Sequence, residues 1–351
     1  MSRRPLRRAP RRRAHRRGAG AWLGLILILL LLAAGALAAL VLLPGPGRRD
    51  APARTVILNH GQGVLGIGQA LQSAGLVRSG LVFAAAAEAS GAAGSLKAGE
   101  YAFSPHESLL RILDAIRHGR VVRRFVTVPE GLTSADAAAI LMRVDVLTGP
   151  APVAPEGALL PETYEVQRGE SRADVIARMR QARDALLARL WATRAPNLPY
   201  ADPEQAVVLA SVVEKETALG VERPLVAAVF VNRLRTGMRL DSDPTVIYGL
   251  THGAPLGHGL TRAELDRYTA YNTYRIAGLP PTPIDNPGRA ALTAALNPAQ
   301  SHALYFVANG AGGHAFADTL SDHARNVMRW RQIESSAHGR APQPTPKSAT
   351  R

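Results

Sequence analysis

Two carboxylates two residues apart, Glu214 and Glu216, stand near the end of one predicted helix. A lone carboxyl that keeps its proton near neutral pH is what general acid catalysis needs. The stretch Asp202 to Leu219 reads DPEQAVVLASVVEKETAL. Asp202 suits the N-cap, Pro203 the first helical position, and Gln205 completes an Asp-x-x-Gln capping box. Gly220 comes next as a natural stop. At about 100° per residue, Ala206, Leu209, Val212 and Val213 share one face. Glu216 falls near the middle of that face and Glu214 roughly 160° away from it. A carboxyl among apolar side chains resists ionisation, so this pattern selects Glu216 as the candidate acid. The alternative for either residue is an ordinary ion pair with a neighbouring Lys or Arg.

Other chemistries find no support. The chain has no cysteine, which removes disulfides, thiolate metal sites and cysteine nucleophiles. It carries no G-x-x-x-x-G-K-[ST] loop, no H-E-x-x-H and no G-x-S-x-G. The ten histidines lack ligand spacing, so neither metal nor cofactor is expected. Asn309 to Gly313 is glycine-rich but leads into a strand, which reads as a β-turn. What remains is one isolated acid with Asn, Tyr, Thr and Asp crowded into turns beyond residue 237. Amides and hydroxyls in loops on a rigid scaffold suit a carbohydrate cleft. Asn286 and Asn297 read as turn formers. Tyr271, Asn272 and Tyr274 exceed what a turn requires.

The elements around these residues predict an α+β chain. Thr55–Leu58 reads as a strand, Val64–Ala74 as a helix, then a second helix through Glu88. Residues 96–101 read as a strand, Glu107–His118 as a helix and Val121–Val128 as a strand. That is a module of roughly 75 residues with no catalytic cluster. A helix at 135–143, a compact turn at 159–164 and a long helix at 171–192 lead to the acid-bearing helix. The next helix has Pro224 near its start and ends near Arg235. Beyond 237 the pattern turns polar until a strand at 304–308, a return beginning at Phe316 and a last helix at 322–333. The tail from about 336 is rich in Pro, Ser and Ala and reads as disordered.

The net charge of +15 does not point to nucleic acid. Residues 1–17 hold nine arginines and no acid, and setting them aside leaves +6 for the rest. The arginines precede Gly20–Leu43, which is uncharged and 24 residues long. As a helix it spans about 36 Å, enough to cross a bilayer. Its length and its Pro-Gly-Pro-Gly ending favour an uncleaved anchor over a signal peptide. The arginines then hold the N-terminus in the cytoplasm.

Several stretches together resemble the endolytic murein transglycosylases, the YceG-like family. They are Leu209-Ala-Ser-Val-Val-Glu-Lys-Glu-Thr217, Phe230-Val-Asn-Arg-Leu234, Met238-Arg-Leu240, Asp243-Pro-Thr-Val-Ile-Tyr-Gly249, Tyr271-Asn-Thr-Tyr274, Gly278-Leu-Pro-Pro281, and Tyr305-Phe-Val-Ala308 with His314 and Phe316. Lys97-Ala-Gly99, Pro129-Glu-Gly131, Glu156-Gly157 and Leu160-Pro-Glu-Thr-Tyr164 also fit. The resemblance implies a single-pass inner-membrane enzyme with a periplasmic catalytic domain that cuts nascent peptidoglycan strands internally. It implies seven parts: a cytoplasmic tail (1–19), a transmembrane helix (20–43), a linker (44–54), a LysM-like α+β module (55–125), a connecting region (126–200), a mixed α+β catalytic domain (201–335) and a disordered tail (336–351). It places the family's catalytic glutamate in Glu214-Lys-Glu216. The face argument and the adjoining Thr217 assign it to Glu216, with Asn232, Asp241, Asp243, Thr245, Tyr271, Asn272 and Tyr274 as substrate-binding candidates. Relatives commonly carry Gln where this chain has Asp241. Glycan strands and cell-wall synthesis proteins are the implied partners.

Two readings stay open beside it. One is a muramidase-type hydrolase in which Asp241 or Asp243 activates water. The other is a non-catalytic, membrane-anchored glycan binder that needs the loops and not Glu216.

Overall fold

The computed structural model of the chain describes residues 17–338. The arginine-rich start before position 17 and the tail after 338 lie outside the described residues. The chain divides into two compact units between Arg123 and Arg124. Helices dominate, and each sheet is a single antiparallel pair. The mixed α+β class therefore holds.

In the first unit, α1 (Arg17–Leu42) is 26 residues long. Among the described residues no helix is long and apolar enough to cross a membrane. Several side chains within α1, including those of Leu23 and Ala33, are not among them. Strand β1 (Arg54–Leu58) leads into α2 (Val64–Ser73) and α3 (Gly80–Ala89), and β2 (Gly99–Phe103) returns against β1. Val56 lies opposite Tyr101, and Leu58 opposite Gly99. The alternating burial of Val56 and Leu58 comes from the two-residue strand period, which turns both toward α2 and α4 (Leu109–His118). Helices α2 and α3 touch backbone to backbone: a Cβ on Gly68 would lie 2.3 Å from the Gly80 carbonyl oxygen.

The second unit opens with β3 (Arg124–Thr127), α5 (Ser134–Met142) and β4 (Thr163–Val166), which pairs with β3. The segment expected as a compact turn at 159–164 thus runs into a strand. Helices α6 (Arg172–Ala192), α7 (Pro203–Glu216) and α8 (Arg223–Arg235) come after it. Next are α9 (Asp243–Thr251), the short α10 (Arg262–Asp266) and α11 (Arg289–Leu296). The hairpin β5 (Tyr305–Ala308) and β6 (His314–Ala317) and helix α12 (Leu320–His338) complete the unit. The sequence pattern predicts only turns between residues 237 and 304. Ser242-Asp-Pro and the glycine before Arg289 instead open helices, with Pro244 in the first turn of α9.

Helix α7 is the axis of this unit. Its start matches the expectation: the Asp202 side chain accepts from Gln205 N at 3.0 Å. Its body does not, because every residue from Ala206 to Glu214 is buried. Helices α6, α8, α9 and α11 surround it, and Val212, Val226, Phe230 and Leu292 share its core. A helix enclosed on all sides has no polar face, so the helical-face geometry that turned Glu214 outward fails. The end also differs. Thr217 is extended, with φ −144° and ψ 129°, so the helix stops at Glu216 and Gly220 plays no part in stopping it.

Candidate active site

Three consecutive residues at the end of α7 have three different fates. Glu214 is deeply buried, its side chain 5% exposed. It accepts from Arg223 Nη2 at 2.8 Å and from the Gly288 backbone N–H at 2.9 Å. Glu214 is therefore the structural ion pair of the two carboxylates. Lys215 donates from Nζ to the Gly131 carbonyl at 2.9 Å. Glu216 meets no cation within ion-pair distance among the described residues, and its carboxyl accepts a hydrogen bond from Ser242 Oγ.

Glu216 as a residue is half-buried, but its carboxyl is desolvated, which pushes it up from its ordinary 4.5 to about 7. The Ser242 bond works against that rise, the Asp243 charge adds to it, and His314 and Arg233 oppose it. A carboxyl at that value holds its proton near neutrality and can also exist as carboxylate, which suits a group that gives a proton and takes one back.

Ser242 is itself locked. Its backbone N–H donates to Thr273 Oγ1 at 2.9 Å, and its carbonyl accepts from Thr245 Oγ1 at 2.7 Å. The two threonine hydroxyls lie 2.8 Å apart. This knot ties the loop before α9 to the Tyr271–Tyr274 loop and fixes the donor that Glu216 meets. Thr245 and Asn272 are fully buried. Asn272 donates to the Leu265 and Arg267 carbonyls at 3.0 and 2.6 Å and accepts from Tyr274 N at 2.9 Å. Asn232 donates to the Ser301 and Ala303 carbonyls at 2.8 and 3.1 Å. These three candidates have spent their side chains inside the protein, and they hold the loops in place.

The other four candidates remain open to a ligand. Asp243 is exposed and accepts from Tyr274 Oη at 2.8 Å. Tyr274 and Tyr271 are half-buried, and Tyr271 Oη lies 2.8 Å from Thr282 Oγ1. Asp241 is exposed, has a left-handed φ of 47°, and stands 3.7 Å from Arg233. Partial desolvation of its carboxyl holds Asp241 above the usual value although Arg233 and Arg239 pull it down.

Other groups went unread in the sequence because their partners are distant in it. Ser242 lies 26 residues from Glu216. His314 and Glu222 form a pair across 92 residues. Asp285 is fully buried, and among the described residues neither of its carboxyl oxygens has a hydrogen-bond partner. Burial drives it well above the carboxylate range, Lys215 opposes this, and Glu214 and Glu156 add to it. On the Lys215 side of the acid lies a cavity of about 850 Å³, lined by Gly131, Lys215, Pro244, Ile247, Tyr248 and Ile284 among others. Glu216 does not line it; Lys215 and Pro244 link its wall to the acid and to Asp243. Among the described residues, no group of three or more His, Asp or Glu could hold a metal ion.

The chain matches a model of the YceG-like family over residues 56–329. An endolytic murein transglycosylase of Streptococcus pneumoniae is 31% identical over 323 residues, covering 78% of this chain and 57% of that protein. One of the same name from Bacillus subtilis is 33% identical over 169 residues, covering 48% of this chain and 46% of the relative. The chain thus spans about half the length of the curated relatives it matches. A crystal structure of a YceG-like protein from Listeria monocytogenes is similar at 26% identity and a TM-score of 0.49, covering 78% of this chain and 98% of that one. With the family match running through both units and across the acid-bearing helix, the chain belongs to the YceG-like family.

Proposed function

We propose that this chain is an endolytic murein transglycosylase with Glu216 as its catalytic acid. The observation that carries the reading is the Glu216 carboxyl, raised to about 7 by burial and paired with a serine rather than a cation. The name shared by the S. pneumoniae and B. subtilis relatives supports the substrate class.

Glu216 protonates the glycosidic oxygen between N-acetylmuramic acid and N-acetylglucosamine. The C6 hydroxyl of the muramic acid then attacks the anomeric carbon and gives its proton to the Glu216 carboxylate. The product is a 1,6-anhydro end, and no water is consumed. One carboxyl therefore serves twice, unlike the paired carboxylates of most glycoside hydrolases. The sugar's 2-acetamido group can assist at the anomeric carbon. Asp241, Asp243, Tyr271 and Tyr274 contact the sugars, while Asn232, Thr245 and Asn272 hold the loops that carry them.

In this reading α1 is a membrane anchor with a cytoplasmic N-terminus, and the rest of the first unit and all of the second lie in the periplasm. The order β1–α2–α3–β2 supports the LysM-like reading of the first unit as a glycan-binding module. Cell-wall synthesis proteins are its expected neighbours.

The hydrolase reading has one observation in its favour: Asp241 and Asp243 flank Ser242, so a water-activating carboxylate is close to the acid. One assay separates the two. Purified sacculi are digested with the wild type and with Glu216→Gln, and the fragments are weighed. Anhydro ends, one water lighter than reducing ends, are expected from the wild type alone. Reducing ends from the wild type would establish the hydrolase, and anhydro ends from Glu216→Gln would remove Glu216 from its role.

A further inference from the structure

His314, paired with Glu222, lies close enough to the acid for its charge to act on Glu216. Glu222, at the N-cap of α8, is 2.7 Å from His314 Nδ1 through one carboxylate oxygen. Its other oxygen accepts the His314 backbone N–H at 2.9 Å. Both oxygens of one carboxylate thus meet one residue of β6, and the Thr217 hydroxyl bonds the same carboxylate. Burial alone would raise Glu222, but the ring and backbone bonds from His314 outweigh it and hold it below the usual range. The glycine before the histidine is part of the arrangement: a Cβ on Gly313 would lie 2.4 Å from Glu222 Oε1.

The ring is fixed on its other sides by aromatic edges. Phe306 meets it at 5.4 Å and 90°, and Phe316 at 6.4 Å and 61°. The His314 side chain is 20% exposed. Its Nε2 makes no hydrogen bond among the described residues. A histidine whose Nδ1 is held by a carboxylate, whose ring is clamped and whose Nε2 is open is built to present that nitrogen outward.

We propose that His314 is a second substrate-contacting residue, whose Nε2 accepts a hydrogen bond from a sugar hydroxyl or amide N–H beside the Glu216 carboxyl. Glu222 is its positioning residue. The proposal rests on the transglycosylase reading for the identity of the sugar, and on the pair's own geometry for the contact. The Glu222 carboxylate keeps the neutral ring in the Nδ1–H form, which leaves the Nε2 lone pair for the ligand. When the ring is protonated Nε2 becomes a donor, and that acceptor contact is lost. The other charged groups acting on Glu216 are Asp243 of α9 and Arg233 of α8. Neither changes in the variants that test the proposal.

The test uses His314→Asn, which keeps an amide donor for Glu222 and deletes Nε2, together with Glu222→Gln. Thermal melts first establish that each variant folds. On peptide-free glycan chains, His314→Asn is expected to raise KM about tenfold, the loss of one hydrogen bond of ordinary strength, with a smaller change in kcat. Glu222→Gln is expected to raise KM in the same direction by a smaller factor. Binding of the same chains is then measured in a Glu216→Gln background, where it is expected to weaken about tenfold on adding His314→Asn. Folded His314→Asn with KM and binding within twofold of the parent overturns the proposal. Anhydro products from Glu216→Gln overturn the transglycosylase assignment of the acid and leave the binding comparison standing.

Discussion

Replacing Glu216 by Gln should make the protein more stable in alkali and no different in acid. The folded carboxyl titrates at about 7 against an ordinary 4.5. At about 1.36 kcal/mol per pH unit, that gap is up to about 3 kcal/mol. Proton counting sets the sign. Between pH 4.5 and 7 the unfolded chain has lost the Glu216 proton and the folded chain has kept it, so stability falls as pH rises through this window. Below 4.5 both states are protonated and the penalty vanishes; above 7 it is complete. Glutamine keeps the shape and can still accept from Ser242, but it never ionises. Its variant should therefore gain up to about 3 kcal/mol over the wild type at pH 8, or roughly 6–12 °C in Tm for a unit of this size. At pH 4.5 the two should melt together. Asp285 also titrates high, but it is present in both proteins and cancels in the difference. Thermal and urea denaturation at pH 4.5, 6 and 8 measure the effect. An offset independent of pH, or a glutamine variant less stable at pH 8, would refute a desolvated, cation-free Glu216. The activity of the wild type should fall above pH 7 for the same reason, as the acid loses its proton.

Arg223→Met strands the buried Glu214 carboxylate and should cost about 3–5 kcal/mol in the second unit, read by urea denaturation. Asn272→Ala removes two donated bonds and one accepted bond that shape the Tyr271–Tyr274 loop. It should destabilise by about 1–3 kcal/mol and lower turnover, and an unchanged melt with unchanged rates would show that the loop does not depend on it. Gly68→Ala drives a methyl against the Gly80 carbonyl at 2.3 Å and should lower the Tm of the first unit while leaving the melt of the second where it is.

What the sequence disclosed and what it hid divide along chain distance. The start of α7 was legible because Asp202, Pro203 and Gln205 act within one turn. Strands β1 and β2 and helices α2 to α4 were legible for the same reason, from period and glycine turns, but the strand expected to close that module at 121–128 is β3, which pairs with β4 in the second unit. Glu216 rather than Glu214 is the carboxyl without a cation, but the reasoning that singled it out did not hold. The wheel assumed an outer face, and Glu214, placed on it, is buried and held by Arg223 nine residues on and by Gly288. Helices α9 and α11 went unread because they are short and lie among turn-forming residues. Asn232, Thr245 and Asn272 looked like sugar ligands by type alone; only the fold shows carbonyls and hydroxyls already waiting for them. His314 and Ser242 were invisible as site residues because no local pattern links them to position 216.

The enclosure of α7 leaves this rod only one workable threading. Adding a single residue near Val208 would advance the rest of the helix by about 1.5 Å and turn it by about 100°. Val213 would then face the Arg223 guanidinium, and Lys215 would arrive where Ser242 offers its hydroxyl. The same one-step slip would unmake the anchor of the helix and the chemistry at its tip together, so the packing that secures the rod also sets the phase of the reaction centre.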